Sequence, residues 1–384
     1  MSGHKAPALV LVLAGACFAP SLQGSAAAQQ VAALPEDYVS MVHLYRSGDT
    51  NAALWQLGNW TEKRVSKHAA ELSDAVVSIR KCPACPTRLA FSRFPVRAAV
   101  LLHVDREIQQ QFNPPESEQV PVCGAGPQAI MVEHLVSILL LVDPEAAPFA
   151  KRLYAGIARQ AMWSHCFKEA ADWARSGLRH FPRDAALLLA EGVAAEARAY
   201  FTLPPAPRTV GATPATVRKR ERLSTELRDL RETARQSFEE ALSADPDLVE
   251  ARLRLGRTLW RLDRPGPARV AFEAVLAKSA EASQQYLAHL FLGRILEDRG
   301  EFKGAEEHYL LALGMQPLSE IAAVAVSHIR FLQGDVEGAR DRLSAGLDAV
   351  RKRRDYDPWM PYLLPQTADG ETILAELRRS ISTR

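Results

Sequence analysis

Residues 286–319 read YLAHLFLGRILEDRGEFKGAEEHYLLALGMQPLS, and the fold is decided here. Apolar side chains recur every three or four residues on both sides of Gly300, the period of amphipathic helices. Gly300 and Pro317 punctuate the pattern. Two helices joined by a glycine turn therefore form a unit. The unit returns downstream at an offset of 34: Gly300/Gly334, Ala305/Ala339, Tyr309/Leu343, Leu313/Leu347 and Ile295/Ile329. Upstream the offset is 37: Leu255/Leu292, Gly256/Gly293, Arg257/Arg294, Ala268/Ala305 and Phe272/Tyr309. The three extra residues are expected around 279–284. A small residue (Gly256, Gly293, Ser327) lets the first helix approach its partner closely. Another (Ala268, Ala305, Ala339) does so on the second helix, and the large residue four later (Phe272, Tyr309, Leu343) fills the interface. Gly300 and Gly334 permit the turn.

Outward from this unit the same periodicity covers nearly the whole chain. Helices are expected near 36–47, 50–58, 61–80, 95–112, 128–142, 148–161, 165–180, 184–200 and 216–244, the last with a break near Ser224. More follow near 248–262, 266–279, 284–298, 302–314, 319–332, 336–350 and 370–380. No alternating strand pattern survives, so the chain is all-α. Hydrophobic residues make up 47% of the 384 and charged residues 24%, enough for a buried core. The net charge of +2 leaves no global field for nucleic acid or acidic lipid.

The unit resembles the tetratricopeptide repeat family. Leu292, Gly293, Leu296, Ala305, Tyr309, Ala312 and Pro317 fall on the family's pattern. The segment 249–278 matches at Leu255, Gly256, Leu259, Ala268 and Phe272; 320–353 is weaker, with Ser327 in the glycine slot. Ala234, Phe238, Ala241 and Pro246 form a second helix whose first helix is obscured. Ala170, Gly177 and Pro182 fit loosely, and Gly48/Ala53 repeat the spacing of Gly300/Ala305. The resemblance implies a right-handed superhelical solenoid of antiparallel helix pairs. It also implies a concave groove, lined by the first helix of each pair, that binds a peptide or partner protein. The groove positions fall on Leu253, Arg257 and Trp260, then Leu290, Arg294 and Glu297, then Val324, His328 and Phe331. Arg257 and Arg294 are equivalent and would form a column suited to carboxylates, with Trp and Phe giving flat apolar contact.

The organisation follows. Residues 1–28 read as a secretory signal: His4 and Lys5, an apolar run from Ala6 to Phe18, then Ala26-Ala27-Ala28. An uncleaved anchor is an alternative. So is lipid attachment at Cys17, although the usual leucine three residues earlier is missing. Residues 29–200 are a divergent helical repeat region, 201–217 a Pro-rich insertion, 218–354 the clear array and 355–384 a C-terminal cap. The basic runs Arg218-Lys219-Arg220 and Arg351 to Arg354 read as solvated helix-end charge. The tail 357–365 is apolar and stiffened by proline. With Ile373 to Leu377 it is expected to cover the open end of the array; its rival role is a ligand-like peptide. The mature chain holds no membrane-spanning segment, and an exported, periplasmic or secreted, location is expected.

No phosphate-binding loop, zinc-protease helix, nucleophile elbow or calcium loop is present, so a non-catalytic scaffold without metal or cofactor is expected. The alternatives are a thiol–disulfide factor using Cys82 and Cys85, or a lipid-anchored envelope assembly subunit. His43, His68, His103, His134, His165, His289 and His328 read as helix-face residues. Asp105 and Glu107, two apart, do not share a face with each other. Four cysteines follow the signal: Cys82, Cys85, Cys123 and Cys166. Helices that alternate in direction put loops 113–127 and 162–165 at one end and loop 81–94 at the other. The helix between them is about 25 Å long, well beyond the reach of about 7 Å between bridged Cα atoms. Cys123–Cys166 is therefore the expected bridge, with Cys82 and Cys85 bridged to each other or free. Peptide mapping under non-reducing conditions should recover Cys123 linked to Cys166 and no link from either to Cys82 or Cys85.

Overall fold

A left-handed residue followed by a buried alanine marks the helix pairs. Gly48, His165, Asp263, Gly300 and Gly334 have φ of 98°, 60°, 59°, 75° and 88°. In each case the next N–H reaches back to a carbonyl five residues earlier: Asp49 to Leu44, Cys166 to Ala161, Arg264 to Leu259, Glu301 to Leu296 and Asp335 to Arg330, all at 2.9–3.0 Å. This is the Schellman closure, which satisfies carbonyls left open at a helix end. Five residues after each left-handed position stands a buried alanine: Ala53, Ala170, Ala268, Ala305 and Ala339.

The computed structural model describes residues 34–82, 84–111, 123–124, 126–202, 214–352, 357–359, 362 and 369–382. The signal expected over 1–28, Cys17 and most of the Pro-rich insertion lie outside them. The described residues form seventeen helices and no strand. They are α1 (Glu36–Ser47), α2 (Thr50–Gly58), α3 (Glu62–Lys81), α4 (Pro86–Arg93), α5 (Val96–Gln111), α6 (Pro127–Val142), α7 (Ala147–Trp163), α8 (Phe167–His180) and α9 (Ala185–Phe201). Then come α10 (Pro214–Ala244), α11 (Val249–Arg261), α12 (Pro265–Lys278), α13 (Ala282–Asp298), α14 (Phe302–Met315), α15 (Glu320–Leu332), α16 (Val336–Lys352) and α17 (Asp369–Ser382). No helix among the described residues is long and apolar enough to cross a membrane.

Two details differ from the sequence reading. Residues 86–93, expected to be loop, form α4, because Pro86 stands at the first helical position, where a missing N–H costs nothing. The expected break near Ser224 is absent: α10 is one helix of 31 residues.

The chain divides into two compact units, residues 1–107 with 126–147 and 378–384, and residues 108–125 with 148–377. In the first unit α5 is buried on every side, with Ala99 to Val104 in the interior. A helix that is apolar all round has no solvent face, so its polar residues are buried too. His103, a helix-face residue, is fully buried: Nε2 lies 3.1 Å from the Tyr38 hydroxyl and Nδ1 2.6 Å from Gln128 Oε1. Burial pushes its pKa down to about 4. Asp105 accepts from Tyr45 at 2.5 Å and from Arg378 at 2.6 Å. Glu107 accepts from the Gly126 N–H at 2.7 Å, yet burial raises its carboxyl to about 7. These groups hold each other rather than line an opening.

The second unit contains the repeats. A Cβ at Gly256 would lie 2.7 Å from the Phe272 ring, and one at Gly293 2.5 Å from Tyr309. Ser327, in the same slot, donates to the Ala339 carbonyl at 2.7 Å, while Leu343 is left 39% exposed. Gly192 meets Phe238 in the same manner, at 2.5 Å. The obscured first helix is therefore α9, paired with α10. The insertion expected to separate two regions instead splits one repeat, and the array begins at 185 rather than 218. The three extra residues near 279–284 lengthen α13 to 17 residues, against 13 in α11 and α15.

The described part of the tail packs on other faces than the open end of the array. Within this unit α17 lies on α7: Ile373 and Leu374 pack over Gly156, and Glu376 pairs with Arg152. Leu343 and Leu347 on α16 remain exposed. Gly192→Ala should destabilise the protein by about 1–3 kcal/mol through overpacking, measured by denaturant unfolding, as should Gly256→Ala. Gly314→Ala, where nothing stands within 4 Å, should be neutral or slightly stabilising.

Candidate functional site

The first helix of each pair spends one face on its glycine contact and turns the neighbouring positions to an inner face. On α9 this face carries Glu196, on α11 Arg254 and Arg257. Glu196 accepts from Arg254 at 2.8 Å and from Arg257 at 2.9 Å, and Arg254 also pairs with Glu250 at 2.9 Å. All three central side chains are buried. Burial works against both guanidinium charges, but Glu250 and Glu196 on Arg254, and Glu196 on Arg257, outweigh it and raise both pKa values. The Tyr362 ring covers the cluster, 4.6 Å from the Arg254 guanidinium and 5.4 Å from that of Arg257.

One repeat further on, the inner face is open. A cavity of about 500 Å³ is lined by Trp260, Leu290, Phe291, Arg294, Glu297, Tyr309, Glu320, Ile321, Val324, Ala325, His328 and Trp359. Its floor is apolar and aromatic. Its charged side centres on Glu297, which accepts from Tyr309 at 2.6 Å and Arg294 at 2.9 Å and lies 3.2 Å from His328 Nδ1. Burial and then Glu297 push the Tyr309 phenol up, so it stays a donor. Trp260 donates to Asp298 at 2.9 Å.

Six of the nine residues expected to bind a partner thus share one cavity: Trp260, Leu290, Arg294, Glu297, Val324 and His328. Leu253 and Arg257 lie in the interior, at 2% and 4% exposure, and Phe331 is exposed outside the cavity lining. The Arg257–Arg294 column does not stand open, because Glu196 and Tyr362 enclose its first member. Sequence reasoning missed Glu196, whose helix was obscured by the insertion, and Trp359, whose docking needs the tail to turn back.

Successive helix pairs, each with a small residue facing a large one, make residues 185–352 an all-α array of repeated helix hairpins, the architecture that the sequence resemblance implies. No protein-family model matches the chain, and no curated protein sequence does. Among solved structures the repeat protein is similar to MamA from Desulfovibrio magneticus RS-1, at 17% identity and a TM-score of 0.40, over 54% of this chain and 98% of that one. It is similar to PilW, described as a type IV pilus biogenesis factor, at 19% identity and 0.41, over 62% and 96%. It is also similar to YrrB, described as a TPR protein with an unusual peptide-binding site, at 15% and 0.36, over 52% and 86%. Scores of this size say nothing about partner or role.

The cysteines stand apart from this groove. Cys123 and Cys166 are bridged, with Cα atoms 5.2 Å apart, as expected. Among the described residues the one group of three with metal-ligand atoms together is Cys123, Cys166 and Glu169, and the disulfide uses both sulfurs. Cys82 and Cys85 are both free, the first exposed and the second buried before α4. Burial opposes ionisation of Cys85, but the Arg88 N–H and the Cys82 and Ser78 contacts prevail and lower its pKa. Glu196→Ala should cost about 3–5 kcal/mol in denaturant unfolding, because it takes the carboxylate from buried Arg257 and leaves buried Arg254 with Glu250 alone. Glu226→Ala, which loses an exposed pair with Arg198, should cost about 0–1 kcal/mol.

Proposed function

We propose that this repeat protein is a non-catalytic interaction scaffold of the cell envelope, holding an extended segment of a partner protein in the groove between α11, α13 and α15. The observation that carries the reading is the convergence of Trp260, Leu290, Arg294, Val324 and His328, from three successive first helices, on one open cavity. An apolar floor with a few fixed polar groups is what a peptide site needs: the floor supplies affinity and the polar groups orientation. Arg294 and His328, about half exposed, can meet a partner carboxylate without first being freed from the core. The envelope part of the reading rests on the leader-like first 28 residues and on the Cys123–Cys166 bridge, which persists in oxidising compartments.

The thiol–disulfide alternative has the lowered Cys85 thiol in its favour. Against it, that sulfur is buried, and the groove plays no part in its chemistry. The lipid-anchored assembly alternative turns on Cys17, outside the described residues.

The double variant Arg294→Glu, Val324→Asp tests the groove, since both side chains are exposed and neither belongs to the buried cluster. Extended peptides selected on the wild-type protein from a displayed library should lose at least about tenfold in affinity, roughly 1.4 kcal/mol, while the thermal midpoint stays put. Undiminished binding by a folded double variant removes the groove as the site.

A further inference from the structure

The inner face of the array already holds a peptide, and that peptide is part of the same chain. Asp357 places one carboxylate oxygen 2.9 Å from the Tyr286 hydroxyl and the other 2.7 Å from Ser319 Oγ. Ser319 caps α15, so this carboxylate sits at a helix N-terminus. Two residues on, Trp359 lies 5.5 Å from the Phe291 ring, centre to centre. Five residues on, Tyr362 lies 5.8 Å from Phe291 and covers the Arg254 and Arg257 guanidinium groups. Asp357 and Tyr362 are buried. These contacts fall on α11, α13 and the start of α15, the helices that also line the open cavity, and Trp359 forms a wall shared with that cavity. Carboxylate, first ring and second ring each have a receptor on the helices that line the groove, with Phe291 common to both rings, and none of the three helps close the open end of the array.

We infer that Asp357, Trp359 and Tyr362 are the anchors of a tethered ligand of the repeat groove, and that the partner carries the same chemistry: an aspartate followed by proline, with aromatic rings two and five residues after the aspartate. The inference rests on the groove reading above and specifies its ligand. Partner and tail use the same receptors, so they compete. A tethered segment competes at a high effective concentration, of millimolar order for a short flexible linkage. The free groove therefore takes such a peptide weakly until the tail is displaced, and the apparent affinity falls by the fraction of chains that stand open.

The probe is the synthetic peptide of residues 355–364, labelled for fluorescence polarisation and titrated against the full-length protein. The double variant Asp357→Asn, Trp359→Ala removes two of the three anchors of the tethered copy, so that Tyr362 leaves the arginines with it and all three receptors are free. It should bind the peptide at least about tenfold more tightly than the wild type. Peptides with alanine at the position of Asp357, Trp359 or Tyr362 should bind the opened chain at least about tenfold more weakly than the parent peptide. If the double variant melts early, Asp357→Asn alone keeps both rings and should still gain about threefold. Equal affinity in wild type and a folded opened variant overturns the inference. So does indifference to the alanine replacements. A protein that takes unrelated extended peptides at Arg294 and Val324, but not this one in the opened variant, overturns the tethered ligand and leaves the scaffold reading standing. A protein that takes neither overturns both.

Discussion

Bare backbone against an aromatic ring is the contact on which the repeat unit depends. At Gly192, Gly256 and Gly293 the facing Phe238, Phe272 and Tyr309 rings leave no room for a methyl group. Close approach brings two helices together over a broad apolar seam, and burial of that seam supplies the stability that neither helix has alone. It also fixes rotation. Once the glycine faces its ring, the residue after it and those one turn away must face the inner surface. The groove follows from that constraint: Arg257 and Arg294 occupy it because each directly follows the glycine. The contact survives an insertion of chain between its two helices, since α9 and α10 meet through Gly192 and Phe238 all the same.

Charge on the inner surface follows a related pattern with different outcomes. Glu196 of one repeat meets Arg257 of the next, and Glu297 meets His328 in the equivalent place. The first pair is buried under Tyr362 and the second borders an open cavity. In the interior a carboxylate shared by two guanidinium groups is obligatory, because a stranded charge there costs several kcal/mol. At the open position the same chemistry is solvated and free to rearrange around an incoming group. One arrangement is therefore a structural core at one level and the border of an open cavity at another.

The tail links these two levels. By placing an aspartate on Tyr286 and Ser319 and two rings on Phe291 and the arginines, it buries the cluster and narrows the groove to the stretch beyond Trp359. In the first unit, polar residues of the buried α5 are satisfied by one another, as His103 is by Tyr38 and Gln128. They hold a core together.

Helix positions, the repeat spacing and the Cys123–Cys166 pairing were legible in the sequence, because amphipathic periodicity and alternating helix direction are local rules that act along the chain. The turns at His165 and Asp263 were hidden, since neither is a glycine although both take the left-handed conformation. The pairing of α9 with α10 was hidden by the insertion between them, and α4 by prolines that read as breakers. The sequence named the groove positions, and six of nine meet at one cavity; it could not say that Arg257 is enclosed. Enclosure depends on Glu196 and Tyr362, 61 residues before and 105 after Arg257 in the chain, and contacts at that separation carry no periodic signature. Sequence alone determined a stack of helix hairpins with a face to offer. Tertiary packing decided how much of that face stays open, because only the folded chain brings its own tail back to cover it.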